Sequence, residues 1–392
     1  MAYRKFKADR LFTGNQMRQD DSVLITTEEG VVETILPLAE AGEGVEHFPG
    51  LLTPGLVNCH CHLELSHMRG AIPEGTGLVN FLLAVLKQRG AAPSSIRSAM
   101  EAAEDAMLNE GIVAVGDICN TTDSLPQKAS GRIYYHNFIE GMGFTPDGAP
   151  GRFEAICRIF SAFAEAYPVP IEANSLTPHA PYSVSPELFG LITGYPGNHL
   201  LSMHNQESEA ENEFFQTGGG DFLRLYSALG IDVSHFKGTG KRSLETCLAH
   251  FYRNQALILV HNLYTNEEDL LAISGRPGLF FCLCPNANQY ISRRLPDPEL
   301  LMQHDAVIVL GTDSLASNHR LSILDEIKTL ERNFPRLTLT TLLQWATWNG
   351  ALALQMDGML GSFGRGKQPG VVLIGNMQGE RLGQDAKSRR LL

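Results

Sequence analysis

The sequence predicts an α/β fold, a (β/α)8 barrel joined to a small β-sandwich-like domain made from both chain ends. Three observations predict it. Strand-like and helical runs alternate eight times between residues 51 and 357, the order that sets parallel strands side by side under covering helices. Several apolar runs end in segments holding His, Asn or Asp, as strands do where their C-terminal ends carry chemistry. One further strand-like run, Val371-Val372-Leu373-Ile374, follows the last helix and finds free edges only among the N-terminal strands. A doubly wound sheet is the rival, but no Gly-x-Gly-x-x-Gly follows the first strand of the alternation.

In chain order, residues 1–50 read as short strands with polar turns, at 3–12, 22–26 and 31–36. The character changes at Thr53-Pro54-Gly55. Strand-like runs then lie at 56–62, 112–119, 132–140, 171–177, 199–204, 257–261, 279–284 and 306–313. Between them fall helical patterns at 94–109, 151–166, 185–193, 207–229, 243–253, 266–273 and 321–333. An amphipathic helix near 338–356 closes the barrel segment, and a Gly-rich turn opens the C-terminal part, 358–392. That part joins residues 1–50 as the small domain, and Lys387-Ser388-Arg389-Arg390 is expected to be solvated.

Composition excludes several function classes. Net charge is −12 with no Lys/Arg block, so nucleic acid is not an expected partner. No run of about 18 apolar residues exists to cross a membrane. No apolar segment follows the basic start Arg4-Lys5-Phe6-Lys7, so no secretory signal is read. Seven cysteines, an odd number, are scattered mostly through apolar runs, which fits buried reduced thiols and a cytoplasmic protein.

The chemistry begins at Asn58-Cys59-His60-Cys61-His62. Residues i and i+2 of a strand share a face, so His60 and His62 form one pair of imidazoles and the cysteines point away. Such a pair suits a borderline cation such as zinc. Read at the same edge, other strands end in His179, His204-Asn205-Gln206-Glu207, His261-Asn262 and Gly311-Thr312-Asp313-Ser314. His204 adds a third nitrogen and Asp313 an oxygen, leaving room for water. A cation held there lowers the water's pKa from ~15.7 toward ~7. Asp313 can also accept the water's proton, and His261 can orient the attacking oxygen. Glu207, three residues past His204, sits where a carboxyl can carry a proton to the substrate; alone it would read as a helix-first-turn carboxylate. The fourth strand, Ile171-Glu172-Ala173-Asn174-Ser175-Leu176-Thr177, has no lysine to bridge a second metal. One divalent cation is expected, zinc first and ferrous iron as the alternative.

These motifs resemble the amidohydrolase superfamily, in the branch of deaminases acting on S-adenosylhomocysteine, guanine and cytosine. The resemblance covers Pro54-Gly55-Leu56-Val57-Asn58-x-His60-x-His62, Pro178-His179-Ala180-Pro181-Tyr182-Ser183, His204-x-x-Glu207, Val260-His261, Cys284-Pro285-x-x-Asn288, Gly311-Thr312-Asp313-Ser314 and Gly361-Ser362-x-x-x-Gly366-Lys367. Within the branch, the stretches around His60–Ser66 and 311–318 look most similar to aminodeoxyfutalosine deaminases. The resemblance implies His60, His62, His204 and Asp313 as metal ligands, Glu207 as proton shuttle, His261 beside the attacking oxygen and His179 facing substrate. Two departures stand out: Asn205-Gln206 in place of a small apolar pair, and Lys367-Gln368-Pro369-Gly370 in place of Lys-x-Ala-Asp.

Glu64, Ser66, Tyr182, Asn288 and Ser314 lie on or near the same loops and are candidate contacts to a heterocycle. The reading is a mononuclear, metal-dependent hydrolytic deaminase of a small amino-substituted heterocycle (purine, nucleoside or pterin), releasing ammonia. The alternatives are hydrolysis of an amide or cyclic amide on the same scaffold, and a non-catalytic barrel, which would show broken ligands. Homo-oligomers are common among such barrels, and self-association is an expectation that no stretch of the sequence locates.

Overall fold

The computed structural model describes residues 3–166 and 173–392, and its strands fall into three sheets. The N-terminal strands are β1 (Tyr3–Phe12), β2 (Met17–Arg18), β3 (Ser22–Thr27), β4 (Val32–Pro37) and β5 (Val45–Pro54). Eight parallel strands follow: β6 (Leu56–Cys61), β7 (Ile112–Cys119), β8 (Tyr134–Gly141), β9 (Asn174–Pro178), β10 (Leu200–Asn205), β11 (Ala256–His261), β12 (Leu279–Leu283) and β13 (Val307–Leu310). The chain closes with β14 (Val371–Gln378) and β15 (Arg381–Arg390).

The two chain ends share one sheet of order β15-β14-β5-β1-β3-β4, with β2 paired to β1. Its seven strands are joined in one hydrogen-bonded sheet, in which the two chain ends meet as expected. The C-terminal strand does find an N-terminal edge: β14 pairs antiparallel with β5, Val372 opposite Thr53 and Ile374 opposite Leu51. Gly50 is required at that contact, because a Cβ there would meet the Ile374 carbonyl oxygen at 2.3 Å, and its φ is +118°. Residues 387–390, expected in solvent, belong to β15 and pair with β14. Alternation there hides behind basic side chains, of which Arg390 is half-buried. β5, which the polar start Val45-Glu46-His47 disguises, carries the sheet to Pro54, past the boundary expected at residue 50.

The parallel strands form two sheets, β6-β7-β8-β9 and β10-β11-β12-β13. β6, β7 and β10 are buried along their whole length, as parallel strands covered on both faces must be. The sheets meet at two seams. At one, His204 N donates to His179 O at 2.9 Å; at the other, Thr312 N and Asp313 N donate to His60 O at 3.0 and 3.1 Å. Residues 171 and 172, the start of the expected fourth strand, lie outside the described residues.

The helices differ from expectation where glycine or proline intervenes. The run 207–229 is two helices, Glu209–Thr217 and Phe222–Leu229. Gly218 caps the first in the left-handed region at φ +75°, where a side chain would strain the backbone. Leu78–Gln88, Pro285–Ser292 and Pro298–Gln303 are helices that periodicity did not mark; the last two are short and begin at proline. Among the described residues no helix is long and apolar enough to cross a membrane.

Candidate metal centre and active site

The C-terminal ends of β6, β10, β11 and β13 converge. His62 Nε2 lies 3.2 Å from His60 Nε2 and 3.3 Å from His204 Nε2. Asp313 Oδ1 lies 3.8 Å from His60 Nε2 and 3.5 Å from His62 Nε2. Donor atoms with this spacing suit a common centre at the ~2.0–2.2 Å of zinc–nitrogen and zinc–oxygen bonds.

Proton bookkeeping supports a cation. His204 Nδ1 donates to His179 O at 2.8 Å, so its Nε2 is a bare lone pair. His62 Nε2 faces that lone pair and also His60 Nε2, and one proton cannot serve both contacts. Burial, reinforced by the neighbouring imidazoles, holds His60 and His62 well below the ordinary histidine range. Burial likewise takes His204 down to about 4. Neutral, buried, mutually facing imidazoles beside a carboxylate are the donor set of a divalent cation.

His204 and Asp313 are held from behind, His204 by the His179 carbonyl. Asp313 Oδ2 accepts from Ser317 Oγ at 2.6 Å, although burial still moves its carboxyl up to about 6. Asp313 sits at φ +57° and His261 at φ +77°, both unusual for side-chain-bearing residues. Below His62, Leu63 N donates to Asp117 Oδ1 at 2.8 Å. Asp117 Oδ2 in turn pairs with the fully buried Lys128 Nζ at 2.6 Å.

Glu207 is buried, and its Oε1 lies 3.6 Å from His261 Nε2. Burial, then the nearby Asp313, raises its carboxyl well above the ordinary range, which favours the protonated form. Asn288 Nδ2 lies 3.1 Å from His261 Nδ1, which gives that nitrogen a donor and leaves the ring proton on Nε2, toward Glu207. A cavity of about 550 Å³ opens over these groups. Phe81, Leu82 and Val85 form one wall; Leu225, Tyr226 and Leu229 form another.

Of the candidate substrate contacts, His179, Tyr182 and Ser314 line this cavity and the other three do not. Glu64 instead accepts from Asn120 N, Thr121 N and Thr121 Oγ1 at 3.2, 3.1 and 3.0 Å, fixing the loop after β7. Ser66 Oγ donates to Leu63 O at 2.7 Å, within its own turn. Asn288 reaches His261 rather than the cavity. The unusual Asn205-Gln206 pair also faces away: Gln206 bonds Asp269 and Thr265, and Asn205 bonds Asn262. Sequence reasoning missed Asn120, Glu140, Arg89 and Arg152, all of which line the cavity. Glu140 carries only the signal of its place, as the last polar residue of the third strand-like run; the others carry no local signal.

Residues 51–381 match the model described as the amidohydrolase family. The chain is 27% identical over 316 residues to an adenosine deaminase of Helicobacter pylori, covering 78% of this chain and 75% of that one. It is 25% identical over 381 residues to an aminodeoxyfutalosine deaminase of Nitratiruptor sp., covering 95% and 91%. The crystal structure of Helicobacter pylori aminofutalosine deaminase in complex with methylthio-coformycin aligns with a TM-score of 0.83 at 22% identity, covering 99% of this chain and all of that one. An adenosine deaminase from Xanthomonas campestris with bound zinc aligns at 0.72 and 19% identity, covering 97% and 86%. The structural likenesses show a shared fold.

Proposed function

The chain belongs to the amidohydrolase family and is a hydrolase acting on carbon–nitrogen bonds other than peptide bonds, and we propose that it deaminates an adenosine-like nucleoside by hydrolysis. The observation that carries this reading is the buried Glu207 carboxyl lining one cavity together with His62, His204 and Asp313 of the ligand cluster. His60, His62, His204 and Asp313 would hold one divalent cation, with zinc the expected ion. When bound there, the cation supplies Lewis acidity that brings a water's pKa from ~15.7 toward ~7.

The chain's own residues do the rest. Asp313 accepts the proton that the water loses. His261, its Nε2–H directed into the cavity, orients the attacking oxygen. Glu207 gives its proton to the ring nitrogen next to the amine-bearing carbon and regains one from the attacking oxygen, while Asp313 passes the water's proton to the departing amine. The new bond is C–O, the broken bond is C–N, and the products are the oxo heterocycle and ammonia. His179, Tyr182 and Ser314 lie in position to contact the ring. The apolar walls suit a substituent extending beyond the sugar. The hydrogen bonds at both seams support closure of the eight parallel strands into a barrel, whose domain begins at β6.

The test is an ammonia-release screen over purines, pterins and adenosine nucleosides on metal-assayed protein, with Glu207→Gln beside it. Ammonia from a nucleoside, lost in the variant with metal content unchanged, is the expected result. Full turnover by Glu207→Gln would overturn its role, and hydrolysis of amides or lactams without ammonia from any heterocycle would overturn deamination.

A further inference from the structure

Among the described residues, one carboxylate oxygen in the cavity wall accepts no hydrogen bond. Glu140, near the end of β8, is 4% exposed and lines the cavity. Its Oε2 accepts from Asn120 Nδ2 at 2.9 Å. Its Oε1 is buried and accepts no hydrogen bond. His204 Nδ1 lies 3.6 Å away, but that nitrogen is committed to His179 O. Arg89 and Arg152 line the same cavity, yet among the described residues the ion pairs of Glu140 include neither. A buried acceptor left bare is costly, and such an exception calls for an explanation, a donor from outside the chain being one.

We propose that Glu140 is a specificity-determining residue that accepts a hydrogen bond from a sugar hydroxyl of the substrate, an inference that rests on the nucleoside reading above. Placement supports a sugar rather than a base. Glu140 faces the Nδ1 edge of His204, whereas the Nε2 edge faces the ligand cluster. A group held by Glu140 is therefore an imidazole's width from the reacting end, where a nucleoside's sugar follows its base. The chemistry supports a hydroxyl: it makes a short charge-assisted bond to a carboxylate, and an anionic substituent would be repelled there. The carboxylate is also pre-positioned. Glu64 accepts from Asn120 N and Thr121 N, and Asn120 in turn holds Glu140 Oε2.

The experiment is a cycle on metal-loaded enzyme, using adenosine and 5′-methylthioadenosine, each against its 2′,3′-dideoxy counterpart. In the unaltered enzyme, kcat/KM for the hydroxylated substrate should exceed that for the dideoxy form at least about tenfold. Glu140→Ala should bring the ratio to within about threefold by lowering only the hydroxylated value, with metal content unchanged. Equal losses on both substrates, or a ratio near one in the unaltered enzyme, would overturn the inference while leaving deamination intact. Should the alanine variant not fold, Glu140→Gln must narrow the ratio at least about threefold, and an unchanged ratio would overturn the proposal. Absence of ammonia from every nucleoside would instead overturn the reading on which it rests.

Discussion

Lys128 Nζ and Asp117 Oδ2 meet at 2.6 Å with both side chains fully buried. Lys128 also donates to Asn137 Oδ1 at 2.8 Å and lies over the Tyr135 and Phe163 rings. Asp117 holds the backbone of Leu63, the residue after His62. Lys128→Met is expected to strand the Asp117 charge and destabilise the protein by about 3–5 kcal/mol. Adding Asp117→Leu should recover part of that loss. Urea unfolding of the single and double variants measures it, and additive losses would contradict the pairing.

Ser317 acts on the cluster through Asp313. Removing its hydroxyl frees Asp313 Oδ2 and the orientation that bond imposes. Ser317→Ala is expected to weaken metal binding about 10–100-fold, with Ser317→Thr restoring much of it. Competition against a chelator reads this directly. Unaltered affinity in the alanine variant would show that the bond does not tune the ligand.

Glu326 sets a pH dependence away from the cluster. It is fully buried, accepts from Asn286 N at 2.8 Å and Asn318 Nδ2 at 2.9 Å, and burial pushes its carboxyl up to about 8. Its unfolded value is near 4.5, so the folded state binds the proton more tightly. Its contribution therefore falls as pH rises from about 4.5 to about 8 and is flat beyond, on the order of a few kcal/mol. Glu326→Gln removes that slope and costs about 1 kcal/mol at low pH for the imperfect amide fit. Unfolding free energies at pH 5 and pH 8.5 test this; equal pH slopes for both proteins would contradict it.

The parallel strands were legible because they are buried on both faces and read as largely apolar runs, as Leu279–Leu283 does. The histidines were legible because a strand's two-residue period puts His60 and His62 on one side. What escaped notice depended on distance through space. Glu64 looked like a substrate contact because it follows the ligand pair, but its partners, Asn120 and Thr121, lie 56 and 57 residues away. Glu140 could not be told from a solvated strand-end carboxylate without knowing that a cavity opens beside it. The last strand of the end sheet was hidden by polar and basic side chains on the exposed face of β15.

The junction between the end sheet and the first ligand strand has a consequence for synthesis. Only Gly55 separates β5 from β6, and its N–H donates to Pro369 O at 3.0 Å. The backbone of His60 is likewise gripped by Thr312 and Asp313. At ~5–20 residues per second, the two early histidines emerge from the ribosome roughly 10–50 s before these partners exist. The nascent chain must therefore carry an unfinished strand until residue 313 has been made, and the anchor at Pro369 forms later still.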